Sequence, residues 1–290
     1  MMMRLVTLFT ALALGLAACG NNSQPITLAT PPVPPAYQAR TDTGPNGEPI
    51  QIPAVRAAYL NERNQRQQVP YNGPEEPGTI VVDPYARVLY HVQPGGQAMR
   101  YGVAVGRAGT GYAGTATIAR KAAWPSWRPT DNMIRTQPDL YAQFAGGLTG
   151  GMHNPLGSRA LYLYEGGRDT YYRIHGTMDP SSIGKATSAG CIRLFNQDII
   201  DLFSQVETGA TVHVRSQAES VRLEGPMTET PEGYVVPAGQ APVPATAALA
   251  PTATAYPATS MVTDPYAVTT ISTPYSAPVT TMSPVESAVQ

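Results

Sequence analysis

The sequence predicts a mainly β domain with one short helix, flanked on both sides by segments that lack the pattern of a packed core. Between residues 78 and 215, short β-branched or alternating runs are separated by turns rich in Gly, Pro and Asp. Only 13% of the 290 residues are charged, while 29 are Pro and 27 are Gly, so much of the chain should be irregular. We therefore expect one folded domain of about 140 residues, an ordinary domain size, rather than two.

The first residues resemble an export signal. Arg4 precedes an apolar run from Leu5 to Leu16 that is too short to span a bilayer, so residues 1–18 are interpreted as a signal peptide. The tetrapeptide that ends at Cys19, Leu-Ala-Ala-Cys, resembles the bacterial lipobox, which implies that Cys19 carries a lipid. Gly20, where an Asp would signal retention in the inner membrane, favours a periplasmic protein anchored in the outer membrane of a Gram-negative bacterium.

Residues 19–77 are interpreted as a tether that carries this lipid, because their first half is rich in Pro, Gln, Thr and Gly. A short helix is expected over Pro53–Gln68, where alanines and Tyr59 give a weak apolar face. Beyond the domain, residues 216–290 consist largely of Pro, Ala, Thr, Ser and Val with few charges. We expect this tail to be disordered, because it offers too little apolar area to offset its ordering entropy.

Seven strands are predicted in the domain, and they share short length, β-branched residues and turn residues at their ends. They are Thr79–Val82, Arg87–Val92, Met99–Val105, Thr115–Ile118, Leu161–Tyr164, Tyr171–His175 and Thr211–Val214.

Helical structure is predicted at two places in the domain. Asp131–Phe144 favours a helix broken by Pro138. A clear helix starts at Asn196 as N-cap, has Asp198 in its first turn, places apolar residues at helical spacing and ends at Gly209.

Composition also limits the partners. The net charge is −1 and no cluster of Lys or Arg occurs, which argues against binding to nucleic acid. No pair of candidate ligands has the close spacing of a zinc site, so a metal is not expected. We expect no other cofactor.

Cys191 is the predicted nucleophile. The sequence holds two cysteines, and a lipid on Cys19 would prevent a disulfide between them, so a thiol in an exported chain needs another purpose. A predicted strand ends at His175, and a polar loop then leads to the small-residue turn that presents Cys191. An imidazole within hydrogen-bond reach can take the thiol proton and hold an ion pair, and backbone N–H groups of a tight turn can stabilise an oxyanion.

The other histidines are weaker candidates. His91 and His213 lie in alternating strands and are expected to be ordinary strand residues. His153 lies in a glycine-rich loop and could line a cleft.

The segment Ile174-His175-Gly176-Thr177, followed by Ser182-Ile183-Gly184 and Ser188-Ala189-Gly190-Cys191-Ile192-Arg193-Leu194, resembles the L,D-transpeptidase (YkuD-type) catalytic domain of bacterial cell-wall enzymes. Asn154-Pro155-Leu156-Gly157 resembles the central segment of the same family. Several motifs in the right order are far more specific than one short motif.

This resemblance implies a β-sandwich-like fold and a site without cofactor. Cys191 would attack, His175 would act as base, and the carbonyl of Gly176 would orient the imidazole. The N–H groups of Ala189, Gly190 and Cys191 would form the oxyanion hole. Many members carry His where this chain has Ala189, so His175 alone would have to serve as base.

Three residues are candidates for binding substrate, namely Ser188, Arg193 and His153. Arg193 stands where some members carry Asn. It could pair with a substrate carboxylate or hold the loop against the domain, and the sequence favours neither role.

The implied substrate is the tetrapeptide stem of peptidoglycan. An amine of a neighbouring stem would give a 3→3 cross-link, an amine of a protein would give attachment to the wall, and water would make the enzyme a carboxypeptidase or amidase. A non-catalytic wall-binding lipoprotein is the alternative from another class. Papain-like or NlpC-type peptidases place Cys before His, and a redox sensor needs a second cysteine to resolve it.

Overall fold

A computed structural model describes residues 32–106, 112–188 and 190–240 of the chain. All of them lie in one compact unit, Met1–Thr246, and the second unit, Ala247–Gln290, lies outside the described residues. The predicted signal peptide, Cys19 and the tail beyond residue 240 also lie outside them, and so does Ala189. No helix within the described part of the chain is both long and apolar enough to cross a membrane.

Strands dominate the described residues, which confirms the mainly β fold. In chain order they are β1 (Arg40–Thr43), β2 (Pro49–Ile52), β3 (Gln67–Pro70), β4 (Ile80–Asp83), β5 (Val88–Gln93), β6 (Gln97–Gly102), β7 (Val105–Gly106), β8 (Gly114–Ala123), β9 (Arg159–Glu165), β10 (Arg168–His175), β11 (Ala186–Ser188), β12 (Ile192–Arg193), β13 (Thr211–Val214), β14 (Met227–Glu229) and β15 (Val235–Pro237).

Four short α-helices accompany them: α1 (Asp131–Thr136), α2 (Pro138–Tyr141), α3 (Asn196–Gln205) and α4 (Gln217–Glu224). The predicted broken helix is confirmed as α1 and α2, because Pro138 can start a helix but cannot continue one.

Nine strands form one sheet in the order β12-β10-β9-β8-β13-β4-β5-β6-β3. The β10–β12 and β13–β4 pairs are parallel, and the others are antiparallel. A bridge between Ala104 and Arg193 brings β12, at one edge, to the chain that follows β6 near the other edge. The two ends of the sheet therefore approach each other.

The main core lies on one face of this sheet and is closed by α3. Ile199, Leu202 and Val206 of the α3 region pack against buried residues of the central strands, such as Leu161 and Ile174. Their spacing of three and four residues places them on one side of the helix, as predicted. Each such side chain stabilises the fold by about 1.5–3 kcal/mol relative to an exposed position.

The start of α3 differs from the prediction. Phe195 occupies the N-cap position without a side-chain cap, and Asn196 is already helical. Asp198 is buried rather than solvated, and it accepts a hydrogen bond from the Tyr37 hydroxyl at 3.2 Å. The helix ends at Gln205, four residues before Gly209, which lies in the following turn.

The described part of the expected tether, from residue 32, is folded onto the domain. Tyr37, Val55 and Leu60 are buried in a cluster with Phe195 and Ile183. A 3-10 turn at Ala57–Tyr59 and strand β3 take the place of the helix expected over Pro53–Gln68. Isolated apolar residues between prolines show no periodicity, so the sequence pattern did not reveal their burial.

The described part of the expected disordered tail is also folded. Ser216 and Glu219 form a reciprocal capping box at the start of α4, and β14 pairs with β15 as a hairpin. The composition of residues 216–290 was taken as a whole, and this concealed the folded residues 216–240, which are richer in charge than those that follow.

Candidate active site

His175 is the last residue of β10 and is buried. Its Nδ1 atom lies 2.6 Å from the carbonyl oxygen of Gly176. A carbonyl only accepts hydrogen bonds, so Nδ1 must carry the proton and donate it. The Nε2 atom of the neutral ring is then left as the acceptor, which is the tautomer that a general base requires.

Burial lowers the pKa of His175 to about 3, and the charge of Arg193 acts in the same direction. The carbonyls of Gly176 and Leu156 oppose this shift, because they favour the protonated form of the ring. At neutral pH the imidazole is therefore uncharged and able to accept a proton.

Gly176 packs too tightly for any larger residue. A Cβ atom at this position would lie 2.2 Å from Oδ1 of Asn196. The same amide accepts a hydrogen bond from the Ser158 N–H at 2.9 Å and donates one to the Thr177 carbonyl at 2.8 Å. Asn196 thus fixes the backbone that holds the imidazole.

Cys191 immediately precedes β12, which runs parallel to β10 with Ile174 opposite Ile192 and His175 opposite Arg193. Side chains alternate along a strand, so Cys191 and Arg193 point to the same face as Arg173 and His175. Neighbouring strands are about 4.8 Å apart. The register therefore places the predicted nucleophile and the predicted base on one face of adjacent chain segments.

Burial raises the pKa of the Cys191 thiol above its usual value. Three groups oppose this effect: the backbone N–H of Arg173, which hydrogen-bonds the sulfur, and the charges of Arg193 and Arg173. Together with the low pKa of His175, this direction favours a neutral thiol beside a neutral imidazole over the ion pair expected from the sequence.

The backbone of β10 explains how the Arg173 N–H reaches Cys191. Gly176 N donates to Arg159 O of the β9 side, whereas His175 O accepts from Leu194 N on the β12 side. Hydrogen-bonding directions alternate along an antiparallel pair, so the Arg173 N–H points toward β12, away from β9.

Arg193 holds its segment through the backbone and faces the site with its side chain. Its N–H donates to Ala104 O and its carbonyl accepts from Ala104 N, both at 2.9 Å. Burial raises the pKa of Tyr141 and of Cys191, and the charge of the Arg193 guanidinium opposes both shifts, whereas at His175 it adds to the lowering caused by burial. Within the described residues Arg193 forms no ion pair, and its buried Nε has no hydrogen-bond partner.

The remaining predicted site residues are placed as follows. Gly190 has a φ of 138°, a conformation that suits glycine, and lies near the Tyr172 ring. Ser188 ends β11, and Ala189 lies outside the described residues. His153 is exposed in a turn.

The two strand histidines stand in strands as predicted. His91 is buried in β5, and His213 in β13 lies 3.0 Å from Glu219. Among the residues that the structure describes, no group of three or more His, Cys, Asp or Glu could hold a metal ion.

Sequence reasoning did not place Arg173 or Tyr172 in this site, and it named Asn196 only as the start of the helix that follows. Arg173 makes a two-pronged ion pair with Asp169, with both N–O distances 2.7 Å, and its guanidinium lies 4.4 Å from the centre of the Tyr162 ring. The alternation of β10 around His175 could have placed Arg173 on the face of the site. Nothing in the sequence could have revealed that Asn196 turns its amide toward Gly176.

Residues 77–214 resemble known proteins. The family model of the YkuD L,D-transpeptidase catalytic domain matches residues 77–214. A probable L,D-transpeptidase ErfK/SrfK of Escherichia coli K12 is 35% identical over 141 residues, which are 48% of this chain and 44% of that protein. A putative L,D-transpeptidase of Fuscovulum blasticum is 39% identical over 101 residues, 35% of this chain and 49% of that protein. The chain thus spans less than half the length of these relatives.

Among solved structures, a Brucella melitensis protein named a probable carnitine operon oxidoreductase is 47% identical. The match covers 52% of this chain and 92% of that one, with a TM-score of 0.38. The oxidoreductase name applies to the Brucella protein alone.

Proposed function

Because residues 77–214 belong to the YkuD family of L,D-transpeptidase catalytic domains, we propose that this chain transfers acyl groups of peptidoglycan stem peptides through Cys191. The arrangement that carries the proposal is Cys191 beside the end of β10, where His175 donates its Nδ1 proton to Gly176 O and keeps Nε2 available. Fold alone does not define a reaction, so the proposal rests on this arrangement together with the family.

In the proposed first step, the Cys191 sulfur attacks the carbonyl of the third residue of a tetrapeptide stem. His175 Nε2 takes the thiol proton as the S–C bond forms, because both groups are neutral before attack. The imidazolium then gives this proton to the leaving amine, so that the C–N bond breaks and the terminal D-alanine departs. A thioester on Cys191 remains.

In the second step an amine attacks the thioester, and His175 returns the amine proton to the sulfur. A neighbouring stem as acceptor gives a 3→3 cross-link, and a protein amine gives attachment to the wall. Water would give a carboxypeptidase or amidase. The N–H groups of Ala189, Gly190 and Cys191 are proposed to hold the oxyanion in both steps.

Arg193 is proposed to bind a carboxylate of the stem peptide. Its backbone already holds the segment, so the guanidinium is not needed for that purpose. A cation that faces the thiol and lacks an ion pair among the described residues suits an anionic substrate. Ser188 and His153 remain candidates for substrate binding.

Acylation of the full chain by a carbapenem, followed by intact mass, tests the first step. Cys191→Ala should abolish the adduct, and His175→Ala should slow its formation by about 100-fold or more, since a positioned base contributes at least that much. His213→Ala removes a histidine of a distant strand and should change the rate less than twofold. A folded wild-type chain that forms no adduct would rule out the acyl-enzyme.

Incubation with purified muropeptides separates the second steps. Dimers joined 3→3 would identify cross-linking, adducts on added protein would identify wall attachment, and tripeptides alone would identify hydrolysis. If stems bind without any of these products, the chain is a wall-binding protein.

We further propose that Cys19 is lipidated and anchors the chain to the outer membrane from the periplasmic side. Cells fed a labelled fatty acid should label the wild-type chain and not Cys19→Ala, and membrane fractionation should locate the anchor. Label retained by the variant would contradict this proposal.

A further inference from the structure

The segment that carries Cys191, residues 184–193, is attached at both ends to one short stretch of chain, residues 103–106. At its start, Gly184 N donates to Val103 O and Val105 N donates to Lys185 O, both at 3.1 Å. At its end, Arg193 exchanges two hydrogen bonds with Ala104. The position of the thiol therefore depends on how firmly these two attachments hold.

Gly184, at the start of the segment, is contacted on two sides by Asn64 and Tyr234, which lie outside the family match. A Cβ atom on Gly184 would lie 2.4 Å from Oδ1 of Asn64 and 2.9 Å from Cδ1 of Tyr234. Gly184 also has a φ of +85°, which other residues rarely adopt. Its backbone thus fills a slot between the N-terminal segment and the β14–β15 hairpin.

Arg87 connects this slot to the hairpin. Its buried guanidinium donates to Gly184 O at 3.2 Å, to Gly233 O, and to Glu229 Oε2 at 2.8 Å. Its own carbonyl accepts from Val103 N at 3.1 Å. One residue therefore holds both partners of the first attachment, Gly184 and Val103.

Arg87 keeps this position in an unfavourable backbone conformation. Its φ is 55°, which is uncommon for a residue other than glycine, so the surrounding contacts must compensate for it. Glu229 and the Gly233 carbonyl supply two of those contacts from the hairpin. A separate contact joins the segment to the hairpin directly, because the Lys185 ammonium group lies 4.9 Å from the centre of the Tyr234 ring.

We propose that the β14–β15 hairpin is a positioning element for Cys191, which acts through Arg87, Glu229 and Tyr234 on the Gly184 end of the nucleophile segment. This role rests on the proposed function, because it keeps the thiol in register with His175. Displacement of a reacting group by about 1 Å can slow a reaction by about 100-fold, so a remote brace can control the rate.

The test compares four full-length chains: the wild type, Glu229→Ala/Tyr234→Ala, Glu229→Gln/Tyr234→Phe and Thr228→Ala. The alanine pair removes both contacts, whereas the conservative pair keeps a hydrogen-bonding group and the ring. Thr228 is an exposed residue of the same hairpin and serves as the matched control. The readouts are carbapenem acylation of Cys191 at saturating concentration, amide hydrogen exchange of residues 184–188, and thermal unfolding.

The alanine pair should acylate about tenfold more slowly, with faster exchange confined to residues 184–188. The conservative pair and Thr228→Ala should stay within about twofold of the wild type. Equal acylation rates in all four chains would overturn the proposal, and so would a slow rate accompanied by faster exchange throughout β4 and β5, since that indicates general unfolding.

Failure of the proposed function is distinguishable from failure of this inference. A wild-type chain that is never acylated contradicts the acyl-enzyme, and hydrogen exchange then still decides whether the hairpin holds the segment. An active wild type with equally protected residues 184–188 in the alanine pair contradicts only the inference.

Discussion

The state of the His175 imidazole is set by its hydrogen bond to Gly176 and by its burial. The Gly176 carbonyl fixes the tautomer, and burial keeps the ring uncharged. In the proposed mechanism the carbonyl would replace the carboxylate of many triads, but it brings no negative charge to stabilise an imidazolium. The ring should therefore remain neutral over an unusually wide pH range.

The first prediction concerns this pH range. Acylation of Cys191 should show no inflection near the ordinary His value of 6.5, because the pKa of His175 is lowered to about 3. The rate should decline only at lower pH, where the ring becomes protonated. Carbapenem acylation measured from pH 4.5 to 8 provides the profile, and a tenfold fall per pH unit below 6.5 would contradict a depressed pKa.

A second prediction at the residue scale concerns the space around Gly176. Gly176→Ala should destabilise the fold by about 1–3 kcal/mol and slow acylation, because the methyl group would overlap the Asn196 amide. Gly146→Ala is the control, since no atom apart from those of its own residue and its two chain neighbours lies within 4 Å of its Cβ position. Urea unfolding and intact mass measure both effects, and equal stability of the two variants would show that the site relaxes freely.

At the scale of elements, the parallel β10–β12 pair brings the two predicted catalytic side chains together. A helix or long crossover usually joins parallel strands. Here a loop with a short helical turn and β11 does so, and Asn196 of α3 holds its first residues. The start of α3 thus has a role beyond closing the core.

Asn196→Asp tests this role with an almost isosteric change. The carboxylate can still accept from the Ser158 N–H, but it faces the Thr177 carbonyl, to which the amide donated at 2.8 Å. We expect a loss of about 1–3 kcal/mol in unfolding free energy and slower acylation. Asn132→Asp, an exposed change of the same chemistry in α1, should change neither measurement. Full acylation of Asn196→Asp would show that the loop does not depend on α3.

Seven of the fifteen described strands were predicted because their periodicity is local, and β13 was placed at its true bounds, Thr211–Val214. Motif order was enough to pair His175 with Cys191. The bracing contacts were not predictable, since Arg87, Asn64 and Asn196 act on backbone atoms that lie far away in sequence. The low pKa of His175 was missed for the same reason, because burial is a property of the folded chain.

At the scale of the whole molecule, folded residues on both sides of the family segment complete the domain. Asp42 of β1 pairs with Arg159 at 2.6 and 3.0 Å and accepts from the Trp124 indole at 2.9 Å. Tyr37 reaches Asp198 under α3. A chain cut to residues 77–214 would expose these surfaces, so measurements belong on the full chain.

Two buried groups give the stability of the molecule opposite pH dependences. The pKa of Asp198 is raised to about 8, mainly by burial, so the folded state holds a proton that the unfolded state releases above about pH 4. This contribution is lost as pH rises to 8. His175, with a pKa lowered to about 3, contributes stability that is lost as pH falls below 6.5.

Asp198→Asn removes one of these two opposite pH dependences. The pH dependence of the unfolding free energy that remains should show the contribution of His175. Relative to the wild type, the unfolding free energy of the variant should rise by about 1.4 kcal/mol per pH unit between pH 5 and 7, the value for one proton. Urea unfolding of both chains at four pH values in this interval measures the difference. Parallel pH curves would contradict the raised pKa of Asp198.

If the proposed lipid anchor at Cys19 is present, the burial of Tyr37 limits how far the folded domain can lie from the membrane. If Cys19 carries a lipid, 17 residues lie between it and Tyr37, the first buried side chain among the residues that the structure describes. Fully extended, the segment from Cys19 to Tyr37 reaches about 60 Å at most, whereas an extended segment from Cys19 to residue 77 would reach about 200 Å. The proposed catalytic centre would then reach only a thin layer of the wall close to the membrane. Insertions before Tyr37 would increase the depth of that layer.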